Sequence, residues 1–285
     1  MALRMAVLGS GSSGNCTLLI LENGGEPLRV LIDAGLSPRE TARRLHHFGI
    51  HPEHIDHILI THVDHDHFRP TWARACARWS IDVHAHVRHC RGHSPLQVLE
   101  RRLYGFTSGF EIGHSTRIDP VGLAHDVLGS TGYVIQHGER RLGFATDLGR
   151  VPDGLLDCFV DLDVLAIESN YDRTMQVESP RPEFLKRRIM GGLGHLSNEQ
   201  AMQAILLIAS RCRLQHIVLL HLSRQCNCPA LVRRLYERTA PELGDYLTIS
   251  NQFAPTPLLA LDRTPLRFDR PAPPHAQPTL FAEAV

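Results

Sequence analysis

The chain has 285 residues, 43% of them hydrophobic, which is enough to bury a full core and excludes a disordered or low-complexity polypeptide. Lysine plus arginine (30) balance aspartate plus glutamate (30), so there is no global positive field and any polyanionic partner has to be held by a local patch. Lys186 is the only lysine, and the remaining basic charge is arginine, whose planar fork matches phosphate.

In chain order, short β-branched or leucine-rich runs at Met5 to Leu8, Thr17 to Leu21, Arg29 to Asp33 and Asp56 to Thr61 predict strands. Asn23-Gly24-Gly25 marks a turn that makes the second and third an antiparallel hairpin. Ser37 and Pro38 supply the cap and first position of a helix over Arg39 to Phe48, ended by Gly49. Strands follow around Ile81 to His84, Ser115 to Ile118, Gly132 to Gln136, Leu142 to Thr146 and Val164 to Ser169. Ser197-Asn198-Glu199-Gln200 is a capping box opening a helix to about Ala209; Ile217 to Leu220 is a buried strand, and a further helix starts at Pro229.

Strand and helix alternate in both halves. The pattern predicts an α/β fold, a four-layer αβ/βα sandwich forming one domain over residues 1–262. Residues 263–285, rich in Pro and Ala and without periodicity, read as a disordered tail. No run is long enough to span a bilayer, and no signal-peptide apolar region is evident. The seven cysteines are scattered, and Cys226-Asn227-Cys228 lacks the spacing of a zinc knuckle. They read as reduced thiols, with a cytoplasmic location expected.

Gly9-Ser10-Gly11-Ser12-Ser13-Gly14 spells a dinucleotide fingerprint, with Asp33 downstream as that motif asks. The fingerprint needs a helix next, and Cys16 to Leu21 is a β run instead, so no helix N-terminus can hold a pyrophosphate. Nicotinamide binding therefore stays only as an alternative reading from another class. The Gly/Ser loop, through Ser12 and Asn15, is instead expected to let backbone approach a substrate phosphate, a plain tight turn being the rival reading.

The strongest motif is Thr61-His62-Val63-Asp64-His65-Asp66-His67. A strand ending at Thr61 delivers His62, Asp64, Asp66 and His67 into one loop, a spacing that puts several donors within reach of adjacent cations. His125, Asp147 and His221 are further isolated donors at or near strand ends, and the 19 histidines of the chain point the same way. Asp82-Val83-His84-Ala85-His86, His89, His93 and His114 read as structural.

These residues resemble the metallo-β-lactamase superfamily, whose first metal motif is HxHxDH followed by lone His, Asp and His ligands. Leu8 to Cys16, Leu31 to Ser37, Ala145 to Gly149, Glu168-Ser169-Asn170, Leu185 to Arg188 and Gly194 to Ala201 look like its YycJ/WalJ branch, which is similar to the tRNase Z and PhnP phosphodiesterases. The resemblance covers roughly residues 3 to 262 and implies a phosphodiesterase with two divalent ions, a DNA exonuclease of repair or maintenance, with nucleic acid as partner and DNA in preference to RNA. It assigns His62, Asp64, His125 and Asp147 to one ion and Asp66, His67, Asp147 and His221 to the other. Asp64 departs from the usual His, and a carboxylate there favours Mn²⁺ or iron over Zn²⁺. His65 is the alternative ligand, and Asp33 is expected to buttress the loop.

By the same resemblance Asp66 accepts a proton, His195 serves as the acid for the leaving group, and Glu168 stands beside His195. Lys186, Arg187 and Arg188 are the densest basic cluster and are expected to meet the substrate backbone, or else to form a solvated helix face. A metal-dependent hydrolase of a thioester, lactone or cyclic phosphate would share the metal set without requiring Glu168 and His195. A noncatalytic scaffold is opposed by the intact ligand set. In the tail, Gln277-Pro278-Thr279-Leu280-Phe281 resembles the pentapeptide that docks on the DNA sliding clamp, with Gln277, Leu280 and Phe281 as its anchors.

Overall fold

The computed structural model describes residues 1–92 and 94–266. His93 and the pentapeptide with Gln277, Leu280 and Phe281 lie outside the described residues. The first strands and helices are β1 (Ala2–Gly9), β2 (Cys16–Glu22), β3 (Leu28–Ile32), α1 (Pro38–Leu45), β4 (His57–Ile60) and α2 (Trp72–Trp79). β5 (Asp82–His86), β6 (Leu103–Phe106), β7 (Phe110–Ile112), β8 (Thr116–Leu123), β9 (Ser130–His137), β10 (Arg140–Ala145), α3 (Asp153–Cys158) and β11 (Val164–Glu168) follow. The chain continues through α4 (Arg173–Glu178), α5 (Glu183–Met190), α6 (Asn198–Ala209), β12 (His216–Leu220), α7 (Pro229–Thr239), β13 (Leu247–Ile249) and β14 (Leu259–Ala260). They form two mixed seven-stranded sheets, ordered β14-β1-β2-β3-β4-β5-β6 and β13-β12-β11-β10-β9-β8-β7.

The chain divides into two compact units, Met1–Pro120 with Ile135–Arg140 and Ser250–Leu261, and Val121–Val134 with Arg141–Ile249 and the residues from Asp262. In the first, β1, β2 and β3 form an antiparallel meander, and β3, β4, β5 and β6 run parallel. Parallel pairing needs crossovers, of which α1 supplies the first, α2 the second and the segment of residues 87–102 the third. Ser37 caps α1 by accepting from the Glu40 amide at 3.2 Å, as the Ser-Pro signal predicts. Leu18, Ile20, Leu31, Ile58, Ile60, Trp72 and Val83 pack one core.

In the second unit β10, β11, β12 and β13 are parallel in register, with Leu165, Ile167, Ile217 and Leu219 in a core closed by Ile205 and Ile208 of α6 and Val232 and Tyr236 of α7. The capping box forms as read: Ser197 Oγ accepts from the Gln200 amide at 3.2 Å and Gln200 Oε1 accepts from the Ser197 amide at 2.9 Å. The segment read as tail begins against this unit, where the Leu266 amide donates to Leu214 O at 2.7 Å and Arg263 lies over the Tyr246 ring. All seven cysteines are free thiols, and no helix among the described residues is long and apolar enough to cross a membrane.

Candidate metal centre

In the first unit β4 runs buried to Ile60 and releases the chain at Thr61 into the His/Asp loop. His62 and His67 are buried and their rings lie 4.0 Å apart, while Asp64, with its side chain 53% exposed, and Asp66 point outward. Asp64 Oδ2 is 3.8 Å from His62 Nε2, and Asp66 Oδ2 is 3.8 Å from His67 Nε2. His65 is exposed and joins no potential metal-holding group among the described residues.

Asp33 underlies this loop, buried at the end of β3 with a φ of 64° that an aspartate tolerates better than most residues. Its carboxylate accepts from the Thr61 amide at 2.9 Å and from Thr61 Oγ1 at 3.0 Å, and lies 2.7 Å from His67 Nδ1. Burial pushes this carboxyl above the usual range, while His67 and Thr61 pull it back. With Nδ1 engaged by the Asp33 carboxylate, His67 leaves Nε2 as the ring's acceptor nitrogen, the form in which an imidazole binds a metal.

Asn15 ties the Gly/Ser loop to the same place. Its Oδ1 accepts from the Gly11 amide at 2.8 Å and from Ser10 Oγ at 3.2 Å, and its Nδ2 sits 2.9 Å from His67 Nε2. The Asn15 amide donates to Asp66 O at 2.7 Å and Asn15 O accepts from Gly35 N at 2.9 Å. Gly35 has no room for a side chain: a Cβ there would overlap the Asp66 carbonyl and come within 2.7 Å of Asn15 N.

In the second unit the donors stand at three parallel strand ends. Asp147 follows β10 and His221 follows β12, each with φ 54°, a left-handed conformation that costs energy for a residue bearing Cβ. Thr146 Oγ1 donates to Asp147 Oδ2 at 2.8 Å, and Ser130 Oγ holds the Asp147 carbonyl at 2.6 Å. Glu168 ends β11 fully buried. Its Oε1 lies 2.7 Å from His195 Nδ1 and 3.1 Å from His221 Nδ1, and its Oε2 accepts from the Leu148 and Leu196 amides at 3.2 and 3.1 Å. Burial alone would raise the Glu168 carboxyl, but His195 and the hydrogen bonds from both histidines hold it below the usual range. Ligand atoms of Asp147, Glu168, His195 and His221 all lie within 4.8 Å of one another.

His125 sets its Nδ1 3.0 Å from Gly194 O, and its ring is 5.2 Å from that of His195. Lys186 is committed within its own segment, donating to Val177 O at 2.6 Å and pairing with Glu183 at 3.1 Å. Arg188 forks onto Asp126, with Nη2 to Oδ2 at 2.6 Å. Arg187 is exposed. Ser12 is exposed, whereas Asn15 is buried and its side chain holds the Gly/Ser loop together.

A family described as the beta-lactamase superfamily domain matches residues 28–221, which carries the chain from β3 to the His221 donor. The chain belongs to the beta-lactamase superfamily. It is 27% identical over 250 residues to an exodeoxyribonuclease YycJ of Bacillus anthracis, covering 86% of this chain and 91% of that protein. It is 30% identical over 233 residues to an exodeoxyribonuclease WalJ of Streptococcus pneumoniae serotype 2, covering 80% and 84%. A diphosphatase of the PhnP family shares the fold with a TM-score of 0.58 at 17% identity, over 91% of this chain and 98% of that one. The superfamily member is thus of the YycJ-like branch, has the α/β sandwich fold expected from its sequence, and is a metal-dependent hydrolase.

The donor set fits divalent ions: carboxylates and imidazoles with buried supports, His67 and His221 each steered by a carboxylate, and no thiolate among the donors. Sequence reading named every one of these donors. Asn170, whose side-chain amide donates to His221 O at 2.8 Å, lay in a quoted motif without a role of its own, and Ser130, which holds the Asp147 carbonyl, carried no signal in the sequence. Sequence reading also missed Arg69, a lone arginine after the His/Asp loop.

Proposed function

We propose that this hydrolase is a DNA exonuclease that uses two divalent ions, with His62, Asp64, Asp66 and His67 as the donors of the first unit and His125, Asp147 and His221 as those of the second. The observation that carries the reading is the Glu168–His195 pair at 2.7 Å beside Asp147, in a chain whose relatives bear the name exodeoxyribonuclease. Ions bound there supply an activated water and neutralise charge on the phosphoryl group during in-line displacement. Exposed Asp64 in place of the usual histidine hardens the ligand set, so Mn²⁺ or iron is favoured over Zn²⁺.

The residues of the chain do the rest. Glu168 fixes His195 through Nδ1 and leaves Nε2 to hand a proton to the departing 3′ or 5′ oxygen. Asp66, with its side chain 22% exposed beside His67, takes the proton from the attacking water. Arg187 meets the phosphate backbone, and the role in DNA repair or maintenance follows from a substrate of that class.

The test is hydrolysis of 5′- and 3′-labelled DNA strands with Mn²⁺, Zn²⁺ or Fe²⁺. Shortening from one end that is abolished in Asp147→Ala is expected; digestion that persists in that variant overturns the reading. Running His195→Ala on DNA and on a thioester separates this function from small-molecule hydrolysis, because only the DNA reaction needs an acid for a poor leaving group.

A further inference from the structure

The Gly/Ser loop has few main-chain donors to spare. Ser10 N donates to Asn251 O, Gly11 N to Asn15 Oδ1, Ser13 N to Gln252 Oε1, Gly14 N to Gly11 O and Asn15 N to Asp66 O. Gln252 clamps the loop from the other side, its Nε2 donating to Gly14 O at 2.9 Å. Ser12 stands apart: it is exposed, and among the described residues neither its amide nor its hydroxyl has a hydrogen-bond partner.

Arg69 lies against this loop. Its Nε donates to Gly35 O and its Nη2 to Ser13 O at 2.9 Å, while its main-chain amide donates to Ala34 O at 3.1 Å. Gly35 is the residue packed backbone to backbone on Asp66. Two of the five guanidinium donors therefore fix the group next to the His/Asp loop, and Nη1 has no partner among the described residues. A guanidinium held this way loses little entropy on gripping an anion.

We infer that Arg69 and Ser12 form a subsite for a phosphate of the polynucleotide other than the one cleaved. The inference rests on the nuclease reading and names the feature that would let the centre hold a chain rather than a single phosphodiester. With Arg69 held on Ser13 O, one residue from Ser12, the remaining guanidinium N–H groups and the Ser12 amide and hydroxyl offer several donors along one short stretch, which suits a phosphodiester oxygen.

The experiment measures binding of a fluorescently labelled single-stranded DNA to the full chain in EDTA by anisotropy over a range of salt. In Arg69→Gln the affinity falls several-fold and the slope of log affinity against log salt shrinks by about 0.7, the share of one phosphate on a single strand. Ser12→Asp, on an exposed side chain without partners, weakens binding likewise and decides the matter should Arg69→Gln fold poorly. Unchanged affinity and slope in Ser12→Asp, or no DNA binding by the unsubstituted chain, overturns the subsite. Binding without cleavage in any metal overturns the nuclease reading and leaves the subsite standing. Cleavage with unaltered salt slopes in both variants does the reverse.

Discussion

Gly35→Ala isolates the contribution of main-chain packing to the metal loop. A methyl at this position meets the Asp66 carbonyl and the Asn15 nitrogen, both backbone atoms that no rotamer change can move aside. Relieving the overlap takes about 1 Å of main-chain displacement, and a shift of that size at a reacting group costs about 100-fold in rate. The bonds at risk are Asn15 N to Asp66 O at 2.7 Å, Gly35 N to Asn15 O at 2.9 Å and Ala34 N to His67 O at 2.8 Å. At about 1 kcal/mol each they amount to roughly 3 kcal/mol, and a chain of this size then melts about 6–12 °C lower. Gly154→Ala is the control, since a Cβ there meets nothing within 4 Å in α3, and it leaves melting unchanged or raises it slightly. The assays are thermal melting, metal content after dialysis and rate on labelled DNA. A Gly35→Ala protein that melts, binds metal and cleaves like the original refutes the argument that the loop is positioned by backbone contact.

Asp33→Asn removes the charge that faces His67 Nδ1 at 2.7 Å, and metal affinity measured by competition with a chelator falls about 10–100-fold; an unaltered affinity means the buttress is ornamental. Glu168→Gln keeps the shape but not the charge beside His195 and His221, so the rate on DNA drops by about 100-fold or more while circular dichroism is preserved; activity within threefold of the original counts against it. His84 Nε2 lies 3.1 Å from His57 Nδ1, and burial first, then the nearby His57, pushes the His84 imidazole down to about 4. Such a histidine contributes its full stability above the unfolded value near pH 6.5 and loses it as the pH falls toward 4, because the unfolded chain takes up the proton first. Allowing for partial exposure the loss is about 2 kcal/mol, and His84→Phe, stacked on Phe110, is expected to flatten that part of the melting-against-pH curve; parallel curves for the two proteins contradict it.

The sequence was most readable where local chemistry and tertiary packing agree. The Ser197 capping box, the Ser37-Pro38 start and the Asn23-Gly24-Gly25 hairpin each state their backbone geometry outright, and the metal donors sit where strands end. Four helices, α2 to α5, escaped, and α2 and α5 did so for different reasons. Over α2, Thr71 is itself helical and makes no side-chain cap, so nothing announces the start of Trp72–Trp79. Over α5, no residue is buried and Phe184 is 69% exposed, so there is no apolar stripe to read. Lys186 and Arg188 looked alike as a basic run, but whether a charge is free depends on partners outside the run, Val177 nine residues back and Asp126 far upstream.

The turn that carries Asp64 is closed by its carbonyl, which accepts from the His67 and Phe68 amides at 2.8 and 2.9 Å, while its carboxylate reaches outward into solvent. The loop's course is thus written in peptide groups that any residue possesses, and the ligand at this position can be exchanged without redrawing the frame. Under the proposed metal assignment, a single codon change from aspartate to histidine at position 64 would shift the preference from Mn²⁺ or iron toward Zn²⁺. On that assignment, metal choice would follow the supply of ions in a habitat far faster than the fold itself could change.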